Sequence, residues 1–252
     1  MSAPSVELRA APVRRVAQRV YGGYCIAVGV LLFSLLAPLV MAAPRLAWRR
    51  RLAQLALKAL FASWFMPWRV TGLEHFPRTP CVVVSNHTSY LDGMVLQMLL
   101  PPRVSFAIME EVRGLPPAHW LLERLGSTFI SRNSARKAAQ QTRHMLRKLY
   151  EGNSIGIFAE GRMARQRPGE LQPFRRGAFM LATHGGGVPV APVLIRGPER
   201  ILPAGAQWLR PGRVRIRVLP PLRARASGKT AAEELRDEAY ARLSEALRES
   251  PE

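Results

Sequence analysis

Between Tyr21 and Ala43 the chain reads YGGYCIAVGVLLFSLLAPLVMAA, without one charged residue, and this run limits what the protein can become. A helix needs about twenty apolar residues to cross the hydrocarbon core of a bilayer, so the run is long enough to span. It is longer than the apolar core of a cleaved signal sequence, and Arg45, Arg49, Arg50 and Arg51 follow at once, which points to a retained anchor. Arg9, Arg14, Arg15 and Arg19 precede it, so arginines on both flanks give the positive-inside bias no direction. Pro38 also leaves open a helix that dips into the membrane and returns. The next segment, LAQLALKALFASWFMPW from Leu52 to Trp68, carries only Lys58 among leucines and aromatics. It is expected to lie in the membrane interface with Trp64, Phe65 and Trp68 at headgroup level, a core helix being the alternative. Residues 1–70 are thus expected to form membrane-anchoring helices and residues 71–252 a second unit.

After Thr71 the pattern becomes one of short apolar runs alternating with helical periods. The runs at 81–85, 104–108, 127–131, 154–159, 188–195 and 214–219 predict strands. Asp92–Leu100, Pro117–Leu125, Ser134–Glu151 and Phe174–His184 predict helices between them, and a polar helix from Thr230 to Glu249 follows a linker at Pro220–Lys229. Such alternation predicts an α/β fold, a largely parallel sheet flanked by helices, with ligands at the carboxyl ends of the strands.

The formal charge of +20, from 37 Lys and Arg against 17 Asp and Glu, calls for an anionic partner surface. Anionic lipid, an acidic carrier protein and nucleic acid all qualify. Most of the charge is arginine, whose planar fork suits phosphate. A membrane-tethered nucleic-acid-binding protein is therefore a rival reading, but no RNA-recognition, helix-turn-helix or zinc-finger signature accompanies the charge, and no nucleic acid is expected. Cys25 and Cys81 are too few for a disulfide framework or a zinc site, and a reducing cytosol is the expected surrounding.

Directly after the strand-like CVVVS stand Asn86, His87, Thr88, Ser89, Tyr90, Leu91 and Asp92. A turn into a helix can bring the Asp92 carboxylate to one imidazole nitrogen of His87 and leave the other free to take a proton from an alcohol. The competing use of Asp92 is to cap the helix that follows. His75, His119, His144 and His184 have no carboxylate at matching spacing and are read as structural or surface residues. Gly185-Gly186-Gly187 is read as a helix stop, since no Gly-Lys-Ser/Thr follows it.

Residues 86–92 match N-H-x-x-x-x-D, the first motif of the glycerolipid acyltransferase family, which the chain resembles. Gly126 to Arg132 (GSTFISR) looks like the family's second motif, Phe158 to Arg162 (FAEGR) like its third, Pro173 to Ala178 (PFRRGA) like the block that trails it, and Val188 to Val193 (VPVAPV) like its fourth. The resemblance spans roughly residues 70–220. It implies a membrane enzyme that moves a fatty acyl chain from acyl-CoA or an acyl-carrier protein to a lysophospholipid hydroxyl, here 1-acylglycerol-3-phosphate. His87 would be the base and Asp92 its partner. Arg132, Glu160, Gly161 and Arg162 would bind the substrate, with Arg132 and Arg162 on its phosphate. Cofactor and metal are expected to be absent, and the place is expected to be the cytoplasmic face of the inner membrane. Two departures stand out: Ala159 replaces the usual proline, and the threonine between Gly161 and Arg162 is missing. Arg165 or Arg167 could then take the place of Arg162, and the acceptor could be another lysophospholipid or a lyso-aminolipid.

Overall fold

Valine and isoleucine runs set the sheet, as their stiff side chains favour extended backbone. The computed structural model describes residues 5–131, 134–163, 170–224, 226 and 228–249. The strands are β1 (Trp68–Thr71), β2 (Val82–Ser85), β3 (Val104–Met109), β4 (Thr128–Ile130), β5 (Ser154–Phe158), β6 (Val190–Arg196) and β7 (Val214–Val218). They form one sheet in the order β1-β7-β6-β2-β5-β3-β4. Strands β6, β2, β5, β3 and β4 run parallel, while β7 lies antiparallel on β6 and β1 parallel to β7. The sheet is therefore largely parallel, as expected.

The helices are α1 (Ser5–Ala42), α2 (Leu46–Ser63), α3 (Asp92–Leu99), α4 (Pro116–Arg124), α5 (Ala135–Tyr150), α6 (Gly177–His184), α7 (Pro198–Ile201) and α8 (Lys229–Glu249). On one face of the sheet Val83, Val193, Ile195 and Ile216 pack with Cys25, Phe61 and Val95 from α1, α2 and α3. On the other, Val82, Val84, Ile155 and Leu194 pack with Leu149, Phe179 and Leu243 from α5, α6 and α8. The crossover from β2 leads to β3 on one side, and that from β5 leads to β6 on the other. The carboxyl ends of β2, β5 and β6 thus form a topological switch point, where sheets of this kind bind ligands.

The N-terminal elements depart from expectation in detail. Helix α1 begins inside the basic segment and passes Pro38 without a break, reaching Ala42. It is long and apolar enough, by length and composition, to cross a membrane. Helix α2 begins at Leu46, within the arginine cluster, and ends at Ser63 rather than Trp68. Phe65 adopts a left-handed φ of 55° and Pro67 follows, so the helix stops and Trp68 opens β1 beside Val214. Trp64, expected at headgroup level, is buried instead: its Nε1 donates to the Cys25 carbonyl at 2.9 Å, and Tyr21 donates to the Trp64 carbonyl at 2.6 Å. Phe65 is 77% exposed. Helices α1 and α2 thus form a hairpin.

That hairpin is joined to the sheet by packing and by charge. The Arg50 guanidinium is buried, donating to the Leu125 carbonyl at 2.9 Å, the Pro102 carbonyl at 3.1 Å and Asn153 Oδ1 at 3.0 Å. Lys148 reaches the same corner, donating to the Gly126 carbonyl and to Thr128 Oγ1, and burial pulls its ammonium down to about 8. Val40 of α1 packs with Ala53, Leu121 and Leu125.

Candidate active site

Backbone geometry at the end of β2 builds the site. Asn86 turns its amide onto β6: Nδ2 donates to the Ile195 carbonyl at 2.9 Å, and the Ile195 N–H donates to Oδ1 at 2.8 Å. This clip holds the chain as it leaves the sheet, so that His87 stands over the switch point. The following turn is tied by Ser89, whose Oγ donates to the Leu202 carbonyl at 2.8 Å.

Asp92 is fully buried, and its carboxylate is turned back towards that turn. Oδ2 lies 3.0 Å from His87 Nδ1 and accepts from the Thr88 and Ser89 amides at 2.7 and 2.8 Å. The cap of α3 falls on Leu91 without a side-chain hydrogen bond, so Asp92 grips the histidine turn rather than capping its own helix. A carboxylate on Nδ1 favours the tautomer with the proton there, which leaves the Nε2 lone pair free to accept a proton. The imidazole is 23% exposed, open to a substrate yet shielded from bulk water. Its ring stacks on Phe158 with centroids 4.0 Å apart and planes 11° from parallel.

Glu160 follows β5 and is buried. Its Oε1 accepts from the His87 amide at 3.1 Å, while Oε2 is buried without a hydrogen-bond partner among the described residues. Burial pushes this carboxyl up to about 7; the His87 and Gln172 amides pull it down, and the Asp92 charge adds to the rise. Glu160 therefore anchors the backbone that carries His87. Gly161 has a φ of 72°, and a Cβ there would collide with the Arg175 side chain, which lies across it. The positive φ favours glycine, and a larger residue would also have to push the Arg175 side chain aside. Arg162 is exposed next to it.

The structure therefore brings His87, Asp92, Glu160, Gly161 and Arg162 to one end of the sheet. Arg132, Arg165 and Arg167 lie outside the described residues. Reasoning from sequence did not assign roles to the Asn86 clip, the Phe158 platform or Arg175 over Gly161, although each stands inside a motif block. Among the described residues no three His, Cys, Asp or Glu side chains converge as a metal site would require.

The sequence profile of the family described as Acyltransferase matches residues 67–196. The chain belongs to the acyltransferase family. The matched stretch runs from β1 to the end of β6 and includes His87, Asp92, Phe158, Glu160, Gly161, Arg162 and Arg175. Among relatives, the 1-acyl-sn-glycerol-3-phosphate acyltransferase of Pseudomonas aeruginosa is 30% identical over 197 residues, covering 75% of this chain and 74% of that protein. The chloroplastic 1-acyl-sn-glycerol-3-phosphate acyltransferase BAT2 of Brassica napus is 32% identical over 181 residues, 71% of this chain. The chain spans about half the length of that chloroplast acyltransferase. Among solved structures, the 1-acyl-sn-glycerophosphate (LPA) acyltransferase PlsC of Thermotoga maritima shares the fold with a TM-score of 0.78. It is 23% identical, and the match covers 94% of this chain and 97% of that one.

Proposed function

We propose that this acyltransferase moves a fatty acyl chain from an acyl thioester, of CoA or a carrier protein, to the free hydroxyl of 1-acylglycerol-3-phosphate, forming phosphatidic acid. The observation that carries this reading is the His87 ring held at Nδ1 by a buried carboxylate with Nε2 left open. His87 Nε2 takes the proton of the acceptor hydroxyl as its oxygen adds to the thioester carbonyl. The tetrahedral intermediate collapses, the C–S bond breaks, and the thiolate leaves with the proton that the imidazolium returns. Asp92 stabilises the imidazolium while it lasts. The chain's own hydroxyls are not needed as nucleophiles, because the acceptor supplies one.

Arg132 and Arg162 are proposed to hold the acceptor phosphate, and the proposal adds Arg175, whose side chain lies across Gly161. Glu160 fixes the loop on the acceptor side. Residues 1–70 are proposed as the anchoring part and residues 71–252 as the catalytic part, working at the cytoplasmic face of an anionic inner membrane. The one-place shift of Arg162 favours, as a second reading, a different lysophospholipid or a lyso-aminolipid as acceptor. A panel of lyso-acceptors offered with one labelled acyl thioester separates the two. Highest kcat/KM for 1-acylglycerol-3-phosphate is expected, and preference for an acceptor without a phosphomonoester would sink the first reading.

A further inference from the structure

Between α7 and β7 the chain forms a closed loop wedged between α1 and the His87 turn. Residues 202–209 read LPAGAQWL, without a charged side chain. The ends of the loop are tied where the Arg210 amide donates to the Ile201 carbonyl at 2.9 Å. Its bend is tied where the Ala206 amide donates to the Pro203 carbonyl at 3.0 Å, with Gly205 at a φ of 84°. Loops closed in this way hold their shape by packing their own side chains. Ile201 and Leu209, one at each end, are buried in the core that contains Cys25 of α1, and Leu202 and Tyr21 pack against that core.

Each side of the loop meets one partner. On the side of α1, Trp208 lies over Gly22: a Cβ there would come within 2.9 Å of the indole Cε3 and 3.1 Å of Trp208 Cβ. The indole is 36% exposed, so most of its surface is covered in this seat. On the catalytic side, the Leu202 carbonyl accepts the Ser89 hydroxyl at 2.8 Å, and Ser89 and Pro203 form an antiparallel bridge. Ser89 is fully buried, and its remaining bonds all go to the base of the site. Its amide donates to Asp92 Oδ2 at 2.8 Å, its carbonyl accepts the Asp92 amide at 3.2 Å, and its Oγ accepts the Leu91 amide at 3.2 Å. The same Asp92 oxygen holds His87 Nδ1. A shift of the loop therefore moves Ser89, and with it the carboxylate that orients the imidazole.

We propose that Trp208 is a positioning residue for acyl transfer: seated on Gly22, it fixes the 202–209 loop, which through the bond from Ser89 to Leu202 holds Asp92 and His87 in reacting geometry. This rests on the acyl-transfer reading above. Trp208 acts on His87 only through Ser89, so its effect falls on the proton-transfer step and not on acceptor binding. A misplacement of about 1 Å at a reacting group can cost a hundredfold in rate, and a loop that relaxes part of the way should cost on the order of tenfold. The arrangement also makes the seating of α1 a condition for activity, because Gly22 belongs to the uncharged run of that helix.

The test uses the full chain in detergent micelles, with palmitoyl-CoA and 1-oleoylglycerol-3-phosphate as substrates and with isotope-labelled histidine, so that the His87 Nδ1–H proton is followed by NMR. Trp208→Ala should lower kcat per folded molecule on the order of tenfold and leave the acceptor KM unchanged. It should also shift the Nδ1–H resonance, which the hydrogen bond to Asp92 draws downfield. Trp208→Phe, which keeps a ring over Gly22, should restore most of both. Ser89→Ala should reproduce the loss, and the double variant should be no slower than the slower single one, since both cut the same connection. Gly22→Ala, which pushes a methyl against the indole and keeps the helix, covers a Trp208→Ala variant that misfolds and should move kcat and the resonance the same way. An unmoved resonance with unchanged kcat overturns the proposal. So does a loss that only reflects a smaller folded fraction, a raised acceptor KM with kcat unchanged, or losses that multiply in the double variant. Should the unsubstituted protein transfer no acyl chain, the acyl-transfer reading fails, while the resonance still decides whether Trp208 positions His87.

Discussion

At the scale of single residues, the site works by over-determining one imidazole. Asp92 holds its Nδ1, Glu160 its backbone amide and Phe158 its face. Removing the base should abolish transfer without unfolding the chain: His87→Ala is expected to lose acyl transfer to background while keeping its thermal midpoint within a few degrees. Asp92→Asn should cost on the order of a thousandfold in kcat, through the wrong tautomer and an unsupported imidazolium. A variant that loses only stability would return Asp92 to a structural role. Glu160 gives a separate, pH-dependent prediction. Its folded value of about 7 lies above the ordinary 4.5, so the folded state binds a proton more tightly than the unfolded one. The stabilisation is complete below about 4.5, falls as pH rises towards 7, and is gone above that, a change of about 3 kcal/mol at most. Glu160→Gln keeps an oxygen for the His87 amide and removes the titration. Thermal midpoints of the unsubstituted protein and the Glu160→Gln variant should therefore diverge between pH 5 and 8, with the unsubstituted protein declining; parallel curves would mean that the carboxyl is not raised. The spacing of His87 and Asp92 was readable in the sequence because both lie on one turn. The contacts of Asn86 with Ile195 and of His87 with Glu160 were not, since these partners meet only when β2, β5 and β6 come together.

Among the elements, strands β2 to β7 and helices α3 to α6 and α8 were legible because apolar runs and helical periods sit between clear stops. Ser134 shows the kind of local signal involved, accepting the Lys137 amide as the cap of α5. Strand β1 was hidden, because WRVT follows an apolar helix directly and its partner β7 lies far along the chain. Helix α7 was too short to show a period. The start of α2 was missed because the arginines at 49–51 read as solvated flank, whereas Arg50 is buried among acceptors contributed by residues 102, 125 and 153. A buried guanidinium of this kind cannot be deleted quietly, as its carbonyl partners would be left without donors. Arg50→Ala should destabilise the protein by about 2–4 kcal/mol, read from the denaturant midpoint in micelles, while kcat at low temperature stays near that of the unsubstituted protein. Arg50→Lys should recover part of the loss, since an ammonium keeps the charge but not the fork. An unchanged midpoint would show that α2 is held by its apolar contacts alone. For the same reason deletion through Pro67 should give an aggregating product, because Phe61, Trp64 and Met66 leave the core with it.

On the scale of the whole molecule, the sheet separates two packed helical layers, and the proposed reacting groups stand at its carboxyl edge. The apolar hairpin packs on one face, and helices α5, α6 and α8 cover the other. The uncharged run at 21–43 raised a membrane partner as an expectation from sequence alone, but which residues would face lipid depends on how α1 packs. Tyr21, Cys25 and Val40 turn inward to α2 and the domain, whereas Leu31, Leu35 and Leu39, spaced one turn apart, are each more than half exposed. These leucines add nothing to the core, so their exposure in water is a cost that only an apolar partner removes. Burying one leucine is worth about 2 kcal/mol, so replacing Leu31 and Leu35 together should weaken partitioning into membranes by roughly a hundred- to a thousandfold. The expected result for Leu31→Gln/Leu35→Gln is loss of co-flotation with uncharged phosphatidylcholine vesicles at about 1 M salt, where screening leaves only apolar attachment. The unsubstituted protein should float under the same conditions. Its thermal midpoint in micelles should match that of the variant, because neither leucine supports the fold. Undiminished flotation of the variant would place the membrane contact elsewhere, with exposed Trp48, Leu52 and Leu55 of α2 the next residues to replace.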